Sequence, residues 1–179
     1  MKNTLKTKLD AFKVFNELSL KGEIVIFGSD YMSNFPFYDL INRISLESAV
    51  YNRSIENMTL KDAEEALKTC VLDLCPDKIF LQLGEHEYTQ EGAEEAYAAI
   101  VETIKLRLPK SKIYIISLPL KGAEKFNRRL AKLADRKHVH YIALTNTNEG
   151  SYKNQFNQLN CFFRRNRIDM AEAFAISSI

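Results

Sequence analysis

Two short stretches carry the side chains best suited to chemistry. Ser29-Asp30 follows Gly28, and Glu85-His86-Glu87 follows Gly84. A histidine beside carboxylates can act as a general base, and with them it forms a donor set known for hard or borderline divalent ions. An aspartate can serve as a carboxylate nucleophile with a histidine as its base. His138 and His140 lie at the start of a later apolar run, away from either stretch. Cys70, Cys75 and Cys161 are odd in number and lack metal-type spacing, so they read as reduced, partly buried core thiols.

Both stretches come directly after apolar runs, which is where the positioning elements must be sought. Leu5, Leu9, Phe12 and Phe15 mark one face of an N-terminal helix over residues 3–20, and Gly22 is a stop signal. Glu23–Phe27 reads as a buried strand, and Ala49–Tyr51 as a weaker one. Thr59 caps a helix carrying Leu60, Ala63, Leu67, Cys70, Val71 and Leu74. Strands follow over Lys78–Leu83, Lys112–Ser117 and Val139–Leu144. Helical stripes run from Ala93 to Leu108 and from Ala123 to Ala134. The polar stretch Thr145–Asn160 reads as a connection, and a short helix begins near Met170.

Alternating strands and helices predict an α/β fold, a three-layer α/β/α sandwich with a five-stranded, mainly parallel sheet. Such sheets bind ligands at the carboxyl ends of their strands. The loops after Phe27, Tyr51, Leu83, Ser117 and Leu144 are therefore the ones to watch.

The chain has 179 residues, 46% of them hydrophobic and 27% charged, which suits one globular domain over residues 1–179. With 25 basic and 23 acidic residues the net charge is +2, so neither nucleic acid nor an anionic membrane is expected as a partner. No apolar run approaches the ~20 residues of a membrane span. Met1–Leu20 contains no unbroken apolar stretch of the secretory type, so a cytoplasmic location is expected.

Five blocks, in order, resemble the SGNH (GDSL-type) ester hydrolases. Ile24–Leu40, an apolar strand running into Gly-Ser-Asp with Phe35-Pro36-Phe37 beyond, resembles the Gly-Asp-Ser block. Tyr51–Thr59 resembles the Asn-Arg-Gly-Ile block, and Lys78–Glu87 the strand leading to Gly-x-Asn-Asp. Ile113–Pro119 resembles the fourth strand and its proline. Asn166–Phe174 resembles the block Asp-Gly-x-His with its short helix. The resemblance implies an SGNH-hydrolase/flavodoxin-like sandwich. It also implies a serine nucleophile, a histidine base held by an aspartate, and an oxyanion bound by the serine amide, a glycine amide and an asparagine side chain.

Carried over by position, each of those roles is altered. Asp30 takes the nucleophile's place, and Ser29 the place of the preceding aspartate. Asn57 replaces the oxyanion glycine, and His86 the oxyanion asparagine. Asn166 replaces the orienting aspartate, and Asp169 the base. The expectation is a hydrolase-like protein that has lost Ser-type esterase activity. Ser29, Asp30, Asn57, His86, Asn166 and Asp169 would then line a cleft for an unidentified small molecule, or support assembly. Two alternatives stay open: a rebuilt site using Asp30, His86 and Asp169, metal-assisted or with Asp30 as nucleophile, and residual acyl-ester hydrolysis through Ser29. The three side chains could equally form a hydrogen-bonded cluster that only braces the cleft. No cofactor and no resident metal is assigned. Phe35-Pro36-Phe37 is expected to pack against the next helix rather than line a pocket, and Arg164, Arg165 and Arg167 to be solvated. The N-terminal helix or the last one offers a face for a homo-oligomer.

Overall fold

The computed structural model describes residues 3–42, 46–145 and 151–163. The chain runs α1 (Asn3–Leu18), β1 (Ile24–Gly28), α2 (Asp30–Asn34), α3 (Phe37–Ile41), β2 (Val50–Asn52), α4 (Leu60–Cys70), β3 (Lys78–Gln82), α5 (Ala93–Arg107), β4 (Lys112–Ile116), α6 (Glu124–Ala131), β5 (Val139–Ile142) and α7 (Tyr152–Phe163). A 3₁₀ turn over Leu72–Leu74 links α4 to β3.

The five strands form one parallel sheet in the order β2-β1-β3-β4-β5. Its central strands are apolar on both faces because helices cover both. Val25, Phe27, Ile79, Leu81, Ile113 and Ile115 point to one side, where α1, α4, α5 and α6 supply Leu9, Ala63, Tyr97 and Phe126. Ile24, Ile26, Phe80, Tyr114 and Ile116 point to the other, under Met32 of α2, Leu40 of α3 and Phe156 and Phe163 of α7. That is the expected α/β/α sandwich.

Local signals explain the element ends. Thr59 accepts from the Asp62 amide and the Asp62 side chain accepts from the Thr59 amide, a reciprocal capping box at the start of α4. Such a cap stabilises by about 1 kcal/mol. Arg53, just past β2, ties α1 down: its guanidinium donates to Asn16 Oδ1 at 3.2 and 3.1 Å and lies over the rings of Phe12 and Tyr51. Asn16 in turn donates to the Thr69 carbonyl of α4 at 2.7 Å.

Three expectations need correction. Residues 152–163 form α7, although the run is rich in Asn and Gln; Phe156, Leu159 and Phe163 share one buried face. Phe35 and Phe37 do pack, but against α7, with ring centroids 5.2 Å from Tyr152 and 6.2 Å from Phe163. Of the three thiols only Cys70 is buried, and burial pushes it up to about 12; Cys75 and Cys161 are exposed. The helix expected from Met170 lies outside the described residues, as do Arg164, Arg165 and Arg167.

Candidate functional site

The chain runs from β1 outward to β2 and then returns across β1 to β3, so connections diverge between β1 and β3. In an open parallel sheet this divergence leaves a crevice at the carboxyl ends of the two strands. Gly28-Ser29-Asp30 leaves β1 there, and Glu85-His86 follows β3. Gly28 is required by close approach: a Cβ would sit 2.7 Å from Met32 Cβ and 2.8 Å from the Gln82 carbonyl oxygen. Gly84 has φ +92°, and a Cβ would meet the Phe126 ring at 2.9 Å, so the turn that presents His86 also needs glycine.

Ser29 is fully buried. Its Oγ accepts from the Met58 amide at 3.2 Å and lies 3.5 Å from His86 Nε2. Asp30, at the start of α2, faces the crevice. Its Oδ2 is 3.1 Å from His86 Nε2, each side chain being 35% exposed. Its Oδ1 accepts the backbone N–H of Asn57. Asn57 has φ +57°, the left-handed conformation that asparagine tolerates better than most side chains. One carboxylate thus holds two loops, the one after β2 and the one after β3.

Glu85, expected only as a carboxylate flanking His86, has its acidity strongly altered by its surroundings. Its carboxylate takes the Tyr31 N–H at 3.1 and 3.2 Å. Burial pushes it up to about 7; the Tyr31 hydrogen bond opposes this, and the neighbouring Asp30 charge adds to it. Tyr31 carries the line further by donating its hydroxyl to Gln155 of α7. The sequence marks it only as a carboxylate beside His86, just past the strand-ending Gly84. Glu87 faces the other way, accepting from the Leu60 amide at 3.3 Å.

Of the positions expected at the site, Ser29, Asp30, Asn57 and His86 come together. Asn166 and Asp169 lie outside the described residues. Among the described residues no group of three His, Cys, Asp or Glu side chains is arranged to hold a metal ion. His138 and His140 sit at the far end of the sheet, where His140 stacks on Tyr114 with centroids 5.0 Å apart.

A five-stranded parallel sandwich with these loops at its carboxyl edge has the SGNH-hydrolase fold. Among solved structures, the chain is similar to a candidate platelet activating factor from Streptococcus pneumonia, at a TM-score of 0.73 and 15% identity over 89% of this chain and 92% of that one. It is similar also to a candidate acylhydrolase from Bacteroides fragilis (TM-score 0.69, 13% identity, 92% and 100% covered). A GDSL-like lipase from Bacteroides thetaiotaomicron superposes with a TM-score of 0.60 at 13% identity, over 78% and 82% of the two chains. No protein-family model and no curated protein matches the sequence. Among the described residues no helix is long and apolar enough to cross a membrane.

Proposed function

We propose that this chain is an SGNH-fold protein that has given up Ser-type ester hydrolysis and works as a ligand-binding or assembly module. One observation carries the reading. Asp30 stands at the position that the resemblance assigns to the nucleophile, and its carboxylate engages both the Asn57 N–H and His86 Nε2. Those two groups occupy the positions from which the resemblance would have an oxyanion held. A fixed negative charge on both donors leaves them nothing to offer a developing oxyanion and repels it. The bound carboxylate also satisfies the loops, which favours a kept scaffold over a kept reaction.

The test is hydrolysis of a short-chain p-nitrophenyl ester by the wild type and Asp30→Ala, each with and without divalent metal. The expected result is no turnover above buffer in any condition. Turnover that vanishes in Asp30→Ala would overturn the reading and assign chemistry to Asp30, and metal dependence would assign it to a rebuilt metal site.

A second reading, residual hydrolysis through Ser29, is favoured by the 3.5 Å approach of Ser29 Oγ to His86 Nε2. Against it stand the complete burial of Ser29 and the Met58 N–H already on its Oγ. Labelling by a serine-directed covalent probe, lost in Ser29→Ala, is the outcome that would establish it.

A further inference from the structure

The near-neutral total charge argues against a polyanionic surface as partner only if the charge is evenly spread, and it is not. Residues 121–138 hold seven basic and two acidic side chains, leaving eighteen basic against twenty-one acidic in the rest of the chain. Phe126 and Leu130 of α6 are buried, whereas Lys125, Arg128 and Lys132 recur at three- and four-residue spacing on its solvent side. The next turn adds Arg136 and Lys137, both exposed, and Asp135 closes that turn by accepting the amides of Lys137, His138 and Val139 at 2.7–2.9 Å. Among the described residues, Arg129 is the cation of this stretch that forms an ion pair, with Glu94 of α5.

Helix α5 packs beside α6, the Tyr97 and Phe126 rings meeting edge to face at 6.2 Å. Its carboxyl end reaches the same end of the molecule, where the Asp135 charge acts on Lys105. There Leu106 is 80% exposed, with exposed Arg107 and Lys110 beside it. The ridge thus joins a row of cations to one projecting apolar side chain. Phe126, the single ring of α6, is buried, so α6 offers no platform for stacked bases.

We propose that this ridge, α6 with the following turn and the end of α5, docks on an anionic lipid surface. The cations would lie at the phosphate level and Leu106 would enter the interface. The candidate site plays no part in this contact.

Sedimentation with vesicles tests it. The protein should pellet with vesicles of equal parts phosphatidylglycerol and phosphatidylcholine at low salt, not with phosphatidylcholine alone, and should release at about 0.5 M salt. The triple variant Lys125→Glu/Arg128→Glu/Lys132→Glu should bind more weakly by roughly fivefold or more for each cation removed. A control with the same charge change on α1, Lys6→Glu/Lys8→Glu/Lys13→Glu, should bind as the wild type does. Circular dichroism confirms that each variant is folded. Absence of wild-type binding at low salt overturns the proposal, as does equal weakening by the α1 control. An oligonucleotide that strips the protein from vesicles at equal phosphate would assign the ridge to nucleic acid instead.

Discussion

Two carboxylates at opposite ends of the sheet collect backbone amides, and they end in opposite electrostatic states. Asp135, in the turn before β5, receives three N–H groups in an exposed setting, and those bonds, led by Val139's, hold it down at about 2. Glu85, in the crevice after β3, receives one N–H while buried, and desolvation raises it to about 7. The donors are chemically alike. What differs is how many there are and how much water remains, and the second factor wins in the crevice. The amino edge of the sheet is therefore a place that stabilises charge, and the carboxyl edge a place where charge is costly.

Replacing Glu85 tests the costly side and should give the largest effect. Its folded pKa lies above the unfolded value near 4.5, so the folded state holds the proton more tightly. Stability should fall as pH rises from about 4.5 to about 7 and then level off. Glu85→Gln keeps an acceptor for the Tyr31 N–H and removes the charge. It should match the wild type at pH 4 and be more stable by roughly 2 kcal/mol at pH 8, as read from urea midpoints. A variant less stable than the wild type at pH 8 would mean that the crevice welcomes the charge, and the contrast with Asp135 would collapse.

The favourable side predicts the reverse sign and a smaller change. Asp135 has its pKa lowered, so its contribution is present above the unfolded value near 4 and lost as pH falls toward 2. Because the group is exposed, water screens much of that gain. Asp135→Ala should cost about 1 kcal/mol at pH 7, with the deficit shrinking in acid. A deficit that persists unchanged at the acid end would show that the turn needs the side chain's shape and not its charge.

The contrast also marks how far the sequence could be read. The five strands and the helices from α4 to α6 were legible to within a few residues at each end, because short apolar runs punctuated by Gly22, Gly84, Pro109 and Pro119 leave few alternatives. Helix α7 was not, because Asn and Gln outnumber the apolar residues that face the core; in hindsight Phe156, Leu159 and Phe163 carry the helical period. The site positions came from resemblance to a family, not from spacing. That the Asp30 carboxylate turns onto the Asn57 amide depends on a left-handed asparagine in the loop after β2, and the donor that meets Glu85 is an amide 54 residues earlier in the chain. Neither has a local pattern.

The smallest predicted effect concerns Asp30, which links the loops after β2 and β3. Asparagine can keep the oxygen that accepts the Asn57 N–H, so Asp30→Asn removes mainly the charge facing His86. Both side chains of that contact are 35% exposed, and half-exposed pairs contribute little. Asp30→Asn should therefore cost no more than about 0.5 kcal/mol, compared by paired thermal melts. A loss several times larger would mean that the carboxylate is a structural pin joining the loops after β2 and β3, so that an open oxyanion-binding arrangement is out of reach of this scaffold. A gain in stability would mean instead that Asp30, like Glu85, is held at a cost in the crevice, and a residue kept against stability is one kept for a ligand.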